Sequence, residues 1–444
     1  MLERAVSLSG LFVMLALAWS MSSHRRSVKL RIVAGGMGMQ FAFALLTLKT
    51  DPGRQLFVWL GDRFKSMQDY TDAGTTLLFN IYPRMEDADL ALPAPVSMTR
   101  SFAFGVLPTI IFFSALMSVL YHLGLIQIIV RGMARIMQKT LGTSGAETLS
   151  AASNVFVGQT EAPLVVRPYL AKMTESELMS LMVGGFATIA GGVLAVYVGM
   201  GIDAGHLMTA SVISAPAALV IAKILVPETE TPVTAGGEIP DIPKTAGNLI
   251  EAATQGTTDG LKLALNVAAM LIAFTALVAL LNAFVIWIGT LAGYDHWTLG
   301  LLFGYLFSPV AVCIGVPLED ALRAGELLGL KMATNEFLAY DQMQRWNSDP
   351  SLAVELSHRS RIILTYALAG FANFASIGIQ IGGIGSLVPE RRSDLARIGL
   401  KAMLGGTLAC FMTACIAGVI ISPDEAAADQ QTPLTAVHST QSSG

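Results

Sequence analysis

The chain has 444 residues, of which 53% are hydrophobic and only 14% are charged, whereas about 25% of the residues of a soluble domain are charged. With a mean hydropathy of +0.60, this profile excludes an ordinary soluble enzyme and indicates one polytopic membrane domain. The 28 basic and 32 acidic residues give a formal charge of −4, which excludes a basic surface and so a nucleic-acid partner.

Stretches without Asp, Glu, Lys or Arg recur along the whole chain. A helix needs about 20 apolar residues to cross a hydrocarbon core about 30 Å thick. The stretches are Ala5–His24, Ile32–Leu48, Ser101–Val130, Leu178–Ile202, Ala204–Ala222, Leu263–Tyr294, His296–Leu318, Ile362–Val388 and Ala402–Pro423. Because His296–Leu318 is interrupted by Gly and Pro, it is either a crossing or an interfacial helix.

Two clusters of basic residues predict the orientation. One follows the first stretch and the other precedes the last one: Arg25, Arg26, Lys29 and Arg31, then Arg391, Arg392, Arg397 and Lys401. Both clusters should be cytoplasmic by the positive-inside rule. Eight crossings would then place both termini outside, with residues 424–444 as a disordered polar tail.

The segment Ala146–Lys172 is too polar to be a plain span. Its apolar pieces on either side of the sequence GQTE, residues 158–161, are each about ten residues long, so each covers about half the bilayer. Two half-helices that meet at a polar tip make a re-entrant hairpin, in which Gly158 would permit the turn. The alternative is an extramembrane helix on which Glu161 and Arg167 form a solvated ion pair.

The segment Pro317–Tyr340 has the same character, with Asn335 and Glu336 between two short apolar pieces. A surface helix is the stronger alternative here, because more of the neighbouring residues are charged. Each of these segments precedes a Gly-interrupted span and then another span, which is the order of an internal repeat. Such repeats in transporters place substrate and ion at midplane, and Glu161 and Glu336 would then face one another across one site.

Four regions follow from this order. Residues 1–100 form N-terminal helices and an interfacial region, and residues 101–260 form a first repeat with a re-entrant hairpin near 141–171. Residues 261–423 form a long scaffold helix and a second repeat with a hairpin near 317–345, and residues 424–444 form the tail. The predicted fold class is an all-α polytopic membrane protein with an inverted repeat.

Five motifs, in order, resemble signatures of the concentrative nucleoside transporters. They are SNVFVG at Ser153–Gly158, GQTEAPLVVRPYL at Gly158–Leu170, GGFATIAGGVLAVYV at Gly184–Val198, TNEFLAY at Thr334–Tyr340 and FANFASIGIQIGGIGSLVPERR at Phe371–Arg392. The resemblance implies eight transmembrane helices, two re-entrant helical hairpins and interfacial helices, assembled as a homotrimer. The scaffold would be mainly Leu263–Tyr294 and Ser101–His122.

The resemblance also implies a substrate site for nucleosides of the uridine, cytidine and adenosine class. The base would be bound by the tip of the first hairpin and the ribose by the second hairpin and a broken span. For the base the residues are Gly158, Gln159, Thr160, Glu161 and Val193; for the ribose they are Glu336, Asn373 and Ser376, with Phe337 and Phe371 as apolar contacts. Amide, hydroxyl and carboxylate groups suit a base edge and vicinal hydroxyls.

The coupling ion implied by the resemblance is Na⁺, and its ligands map to Asn154, Val157, Thr188 and Ile189. Hard cations prefer such oxygen shells. Some family members have Ser where this chain has Thr188, and either hydroxyl serves. A proton-coupled symporter is the alternative, in which Glu161 or Glu336 takes up the proton.

Competing functions are an uncoupled nucleoside-binding membrane receptor or channel, and an intramembrane enzyme. A channel needs a continuous polar stripe, whereas the polar residues here cluster at discrete breaks. The absence of HExxH and GxSxG motifs disfavours an enzyme. We therefore expect a sodium-coupled importer of nucleosides in a lipid bilayer, multi-pass, in a bacterial inner membrane.

Overall fold

The computed structural model describes residues 2–79, 103, 107–235, 246–294, 296–348, 354 and 356–421, and no strand occurs among them. The first part contains α1 (Leu2–Ser20), α2 (Leu30–Lys49), α3 (Asp51–Phe79), α4 (Leu107–His122), α5 (Leu125–Leu141), α6 (Gly145–Ser153), α7 (Ala162–Val165), α8 (Arg167–Leu170), α9 (Glu175–Ala187), α10 (Gly191–Gly199) and α11 (Ala204–Leu225). The second part contains α12 (Leu249–Leu291), α13 (Leu299–Cys313), α14 (Ala321–Ala333), α15 (Glu336–Ser348), α16 (His358–Leu368), α17 (Phe374–Leu387) and α18 (Arg392–Ile420). The predicted tail, residues 424–444, lies outside the described residues.

The helices agree with an all-α polytopic membrane fold. Within the described residues, six helical segments are long and apolar enough to cross: α1, α2, α9 with α10, α11, α12 and α18. Helices α4 and α5 make a further candidate when they are taken together, with a bend of 73° between them. Helices α16 and α17 form the interrupted span between Ile362 and Val388. The described residues thus contain six candidate crossings, or seven with the bent pair, and the count of eight stays a prediction.

The stretch His296–Leu318 forms the 15-residue helix α13. At about 1.5 Å per residue it is shorter than the hydrocarbon core, and it packs against α14 of the second hairpin. It occupies the position in the second half that α5 has in the first, directly before a hairpin. Helix α13 is thus one of the shorter apolar helices and not one of the candidate crossings, and its place at the interface stays a prediction.

The long helix α12 has 43 residues and begins at Leu249, well before the apolar stretch at Leu263. Asn248 caps its first turn by accepting from the Glu251 N–H at 2.8 Å. The expected division between residues 260 and 261 therefore lies inside a continuous helix, because helix capping extends the helix beyond its apolar part. It packs mainly against α4, and this pair comprises the two segments expected to form the scaffold.

The core lies among α9, α10, α11 and α18, whose apolar windows are 89% buried, while those of α1 and α2 are 28% and 33% buried. The described Cys410 and Cys415 are buried in it with free thiols, as expected of small apolar residues. Both hairpins lead into this core. The buried centre therefore holds the broken spans, and the long helix α12 lies at its edge.

The base of each hairpin is hydrogen-bonded to the span that follows it. In the first, the Ser144 hydroxyl donates to Glu177 at 2.5 Å. In the second, the Ser360 hydroxyl donates to Asp320 at 2.5 Å. Ser144 and Asp320 each precede the first helix of a hairpin, while Glu177 and Ser360 each lie in the first turn of the next span. This equivalence supports an internal repeat.

Candidate binding site

The tip of the first hairpin is a tight turn between α6 and α7. The Gly158 carbonyl accepts from the backbone N–H groups of Glu161 at 3.1 Å and Ala162 at 3.0 Å. A Cβ atom on Gly158 would collide with the Glu161 carboxylate and lie 3.3 Å from the Cβ atom of Ala190. Glycine therefore permits the close approach of the turn to the break between α9 and α10 without displacing the Glu161 side chain.

The tip of the second hairpin places Glu336 at the start of α15. Thr334 ends α14, and the Asn335 side chain accepts from the Leu338 N–H at 2.9 Å. The Glu336 carboxylate therefore lies at a helix N-terminus, where the backbone N–H groups and the helix dipole favour negative charge. Its side chain is buried, with 5% exposed.

Each broken span opens beside a hairpin tip. Helix α9 ends at Ala187 and α10 begins at Gly191; α16 ends at Leu368 and α17 begins at Phe374. Asn373 caps α17 by accepting from the Ser376 N–H at 2.9 Å. Such caps satisfy only part of the backbone groups freed at a helix end, so the breaks remain the polar points of the bundle.

Hydrogen bonds connect the two hairpin tips through these broken spans. Glu336 accepts from the Tyr197 hydroxyl at 2.7 Å and from the Asn373 amide at 3.1 Å. Ser376, one turn after Asn373, accepts from the Gln159 amide at 3.5 Å. The network thus joins Gln159, Glu336, Asn373 and Ser376, which the sequence places far apart. All four side chains are buried or nearly so.

Glu161 lies apart from this network. Its carboxylate accepts from the Thr160 hydroxyl at 3.1 Å, and its side chain is exposed. It lines a cavity of about 190 Å³ between the first hairpin and the α4–α12 pair, together with Gly158, Gln255 and Asp259. Contrary to the expectation that Glu161 faces Glu336, the hydrogen bonds towards the second hairpin run from Gln159, because the turn directs the Glu161 side chain to the cavity.

The predicted apolar contacts lie beside the network. Phe337 is buried, and its ring centroid is 6.2 Å from that of Tyr197. Val193 is buried in the first turn of α10, and Phe371 is partly buried in the break before α17. The Thr160 methyl group faces Gly383, where a Cβ atom would lie 2.9 Å from it. The predicted apolar contacts therefore lie next to the polar network, with Val193 in one broken span and Phe371 in the other.

The predicted ion ligands lie together at the first break. Asn154 and Thr188 are the residues that end α6 and α9. A Cβ atom on Gly184, one turn before Thr188, would lie 3.0 Å from the Asn154 amide nitrogen. The Gly191 N–H donates to the Phe156 carbonyl at 3.0 Å, which fastens the chain around Val157 to the break that contains Ile189.

The Asn154 side chain has an unused acceptor. Its Nδ2 donates to the Ser150 carbonyl at 3.2 Å, but its Oδ1 is buried without a hydrogen-bond partner in the described part of the chain. The Thr188 hydroxyl donates to the Gly184 carbonyl at 2.8 Å, which leaves its lone pairs available. No group of three or more His, Cys, Asp or Glu side chains that could hold a metal occurs among the described residues. The oxygen atoms at this break belong to uncharged amide, hydroxyl and carbonyl groups, which can serve as ligands of a hard cation.

Three residues of the site were missed by the sequence analysis. Tyr197 donates to Glu336, Gln380 donates to Gln159 at 3.2 Å, and Lys331 is fully buried and donates to the Ala367 carbonyl at 2.8 Å. A polar residue within an apolar helix is the signal that could have indicated Gln380, whereas the aromatic ring of Tyr197 gives no such signal. Lys331 lies among other charged residues of its segment, so the sequence gives no sign that it is buried.

Family models match nearly the whole described chain. Residues 9–81 match the N-terminal model and residues 206–418 the C-terminal model of "Na+ dependent nucleoside transporter", and residues 103–204 match the "Nucleoside recognition" gate model. An uncharacterized transporter of Haemophilus influenzae is 44% identical over 422 residues, which cover 95% of this chain and 99% of that protein. The chain belongs to the concentrative nucleoside transporter family. Its membership confirms the predicted family and excludes the enzyme alternative, because these homologues are transporters.

Two further comparisons agree with this family. The structure of the transporter CNTnw in an inward-facing substrate-bound state is 41% identical, with a TM-score of 0.86, and the match covers 94% of this chain and 97% of that one. The sodium/nucleoside cotransporter 1 of Mus musculus is 43% identical over 433 residues, covering 95% of this chain and 64% of that protein. The chain thus spans about three fifths of the length of such animal relatives.

Proposed function

We propose that the protein is a sodium-coupled symporter that imports nucleosides by alternating access. The observation that carries the proposal is the hydrogen-bonded network from Gln159 to Glu336. It joins the tips of both hairpins through the break in the α16–α17 span. A ligand that inserts into this network contacts both repeats at once, which is what transport by rocking or gating of repeats requires.

The ribose would be bound by Glu336, Asn373 and Ser376, with Phe337 and Phe371 against its apolar face. The Glu336 carboxylate and the Asn373 amide are already 3.1 Å apart in a hydrogen bond. Two vicinal hydroxyls could replace this bond, because one would donate to the Glu336 carboxylate while the other accepts from the Asn373 amide. A nucleoside without these hydroxyls would leave buried polar groups unpaired and bind more weakly.

The base would be bound by the tip of the first hairpin, where Gly158, Gln159, Thr160 and Glu161 meet Val193. Gln159 offers both a donor and an acceptor, and Glu161 faces the cavity of about 190 Å³ next to α4 and α12. A base placed between the side chains of Gln159 and Glu161 would have the buried network on one side and this cavity on the other. The mixture of apolar walls and few polar groups is typical of small-molecule sites.

The sodium ion would be bound by the side-chain oxygens of Asn154 and Thr188 and by backbone carbonyls at Val157 and Ile189. The buried, unpartnered Asn154 oxygen supports this assignment, because buried polar atoms normally have a partner. The fixed ends of α6 and α9 hold these ligands next to the base-binding tip. Occupancy of the ion site would therefore stabilise the tip in its substrate-binding shape.

The remaining assignments follow the same proposal. The two repeats, with their hairpins near 141–171 and 317–345, would carry the substrate. They would move against a scaffold formed by α4 and α12. The large apolar side chains exposed along α12, such as Phe284 and Trp287, would be covered by lipid and by partner subunits in a homotrimer. A bacterial inner membrane is the proposed location.

The testing experiment is uptake of radiolabelled uridine by proteoliposomes that contain the purified full-length protein. An inward Na⁺ gradient is compared with a K⁺ control at equal internal and external pH. Accumulation that requires the Na⁺ gradient is the expected result. Accumulation driven by an inward proton gradient instead would establish the proton-coupled alternative, and nucleoside binding without accumulation would establish the uncoupled receptor or channel.

A further inference from the structure

Lys331 carries a positive charge in the interior of the second hairpin. Its side chain has no exposed surface, and its Nζ donates to the carbonyl of Ala367 in the last turn of α16 at 2.8 Å. An ammonium group removed from water is costly unless opposite charge and hydrogen bonds compensate. The substrate and ion assignments above make no use of this charge.

The position of Lys331 corresponds to the proposed ion site of the first repeat. In the first repeat, Asn154 ends α6 and Thr188 ends α9. In the second, Thr334 ends α14 and Ala369 ends α16. Lys331 lies three residues before Thr334, and its Nζ donates to the carbonyl of Ala367, two residues before Ala369. Its ammonium therefore lies where a hairpin helix and the first half of a broken span end close together. We call each such place a junction: the first junction contains Asn154 and Thr188, and the second contains Thr334 and Ala369.

The two junctions differ in how they obtain positive charge. The residue three positions before Asn154 is Ala151, a small buried side chain whose Cα atom lies 4.0 Å from the position of a Cβ atom on Gly184. No charged side chain lies at this point, and the Asn154 oxygen is left without a partner in the described chain. The second junction has a lysine at this point.

The second junction also has a carboxylate that needs compensation. Apart from the N-terminus of α15, the groups that bond to Glu336 are the side chains of Tyr197 and Asn373, which are both neutral. Lys331 lies five residues before Glu336 in the same hairpin. Both side chains bond to the break between α16 and α17: the Lys331 Nζ is held by the Ala367 carbonyl before the break, and Glu336 accepts from the Asn373 amide after it.

We propose that Lys331 is a tethered cation that takes, at the second junction, the place that Na⁺ takes at the first. It is a positioning residue: its charge holds the Glu336 carboxylate ready for the ribose, and its hydrogen bond holds the end of α16. Because it fills the second junction, transport requires one Na⁺ at the first junction only. This inference rests on the proposed function for its sodium part.

The first test measures thermal unfolding of the purified full-length protein and does not depend on transport. The variants are Lys331→Met, Glu336→Gln and both together, with Lys139→Gln on the exposed surface of α5 as the control. The decrease in unfolding temperature caused by Lys331→Met should be several times larger in the wild-type background than in the Glu336→Gln background. Only in the wild-type background does the loss of Lys331 leave an uncompensated buried carboxylate. Equal lowering in both backgrounds would show a packing role and overturn the proposal.

The double variant protects this test against misfolding. If Lys331→Met alone does not fold, the proposal requires that Lys331→Met with Glu336→Gln folds, since the pair has lost both charges. Failure of the double variant to fold, while Glu336→Gln alone folds, would overturn the proposal. Lys139→Gln should unfold like the wild type, which shows that loss of a lysine in general has no such effect.

The second test measures the Na⁺ dependence of uridine uptake for the wild type and Lys331→Gln. The wild type should show a Hill coefficient of about one, and Lys331→Gln should show a steeper dependence as Na⁺ enters the vacated junction. An unchanged steepness in Lys331→Gln would overturn the claim that the ammonium stands in for an ion. Absence of Na⁺-driven uptake by the wild type would overturn the proposed function instead, while the unfolding test would still decide the role of Lys331 as a countercharge.

Discussion

Tyr197→Phe should weaken nucleoside transport by removing the hydroxyl group that holds Glu336. The Tyr197 hydroxyl donates to one carboxylate oxygen at 2.7 Å, while Asn373 donates to the other at 3.1 Å. Tyr197 is fully buried at the end of α10, on the opposite repeat from Glu336. Phenylalanine keeps the ring and removes the only polar atom of the side chain, so the change addresses this one hydrogen bond.

The magnitude follows from the charge of the acceptor. Hydrogen bonds to charged groups contribute about 1.5–3 kcal/mol, and each 1.4 kcal/mol is about a tenfold change in an equilibrium constant. If the whole bond serves to orient Glu336 for the ribose, the KM for uridine should rise roughly 10- to 100-fold. A nucleoside that lacks the 2′ and 3′ hydroxyls does not use Glu336, so its already weak uptake should change much less.

The matched control is Tyr340→Phe. The two tyrosine rings lie in the same buried cluster, with centroids 4.8 Å apart, but the Tyr340 hydroxyl donates to the backbone carbonyl of Thr365 at 2.7 Å. Its removal should lower stability by about 0.5–1.5 kcal/mol and leave the KM for uridine nearly unchanged. The reasoning is refuted if Tyr197→Phe transports uridine like the wild type, or if both variants raise KM by the same factor.

Three further substitutions test the proposed ligands one by one. Asn373→Ala should abolish uridine uptake, because it removes a donor to Glu336 and the cap of α17; normal uptake by protein that reaches the membrane would contradict the ribose assignment. Thr188→Ala should raise the Na⁺ concentration for half-maximal uptake severalfold while substrate selectivity stays the same, and an unchanged Na⁺ dependence would remove this residue from the ion site. Gln159→Ala should change the ranking of purine against pyrimidine nucleosides in competition assays; an equal loss for all of them would mean that the base is recognised elsewhere.

The spans and hairpins could be predicted from the sequence because they depend on local composition. A half-helix too short to cross, a polar tip and a glycine at the turn are all visible between Ala146 and Lys172. The same information does not reveal where a side chain at the tip points. Gln159 and Glu161 are two residues apart, yet one enters the buried network and the other lines a cavity. The path of the chain through the turn sets these directions, and local composition does not specify it.

Partners from the opposite repeat could not be predicted because no local pattern records them. Tyr197 lies in an apolar helix where an aromatic residue needs no explanation, and its role follows only from Glu336, 139 positions along the chain. Lys331 illustrates the reverse case, since its charged neighbours suggest a surface helix while tertiary packing buries it completely. In both cases the decisive contact is long-range.

The bases of the hairpins explain why the repeat is visible as an order of elements and not as matching letters. In the first repeat, a hydroxyl on Ser144 before the hairpin donates to a carboxylate on Glu177 in the next span. In the second, the carboxylate belongs to Asp320 before the hairpin and the hydroxyl to Ser360 in the next span. The same hydrogen bond joins equivalent positions with donor and acceptor exchanged, so the contact is kept while the residue identities are reversed. The ion site of the first repeat and Lys331 of the second show the same principle for charge: equivalent positions meet one physical requirement with different groups.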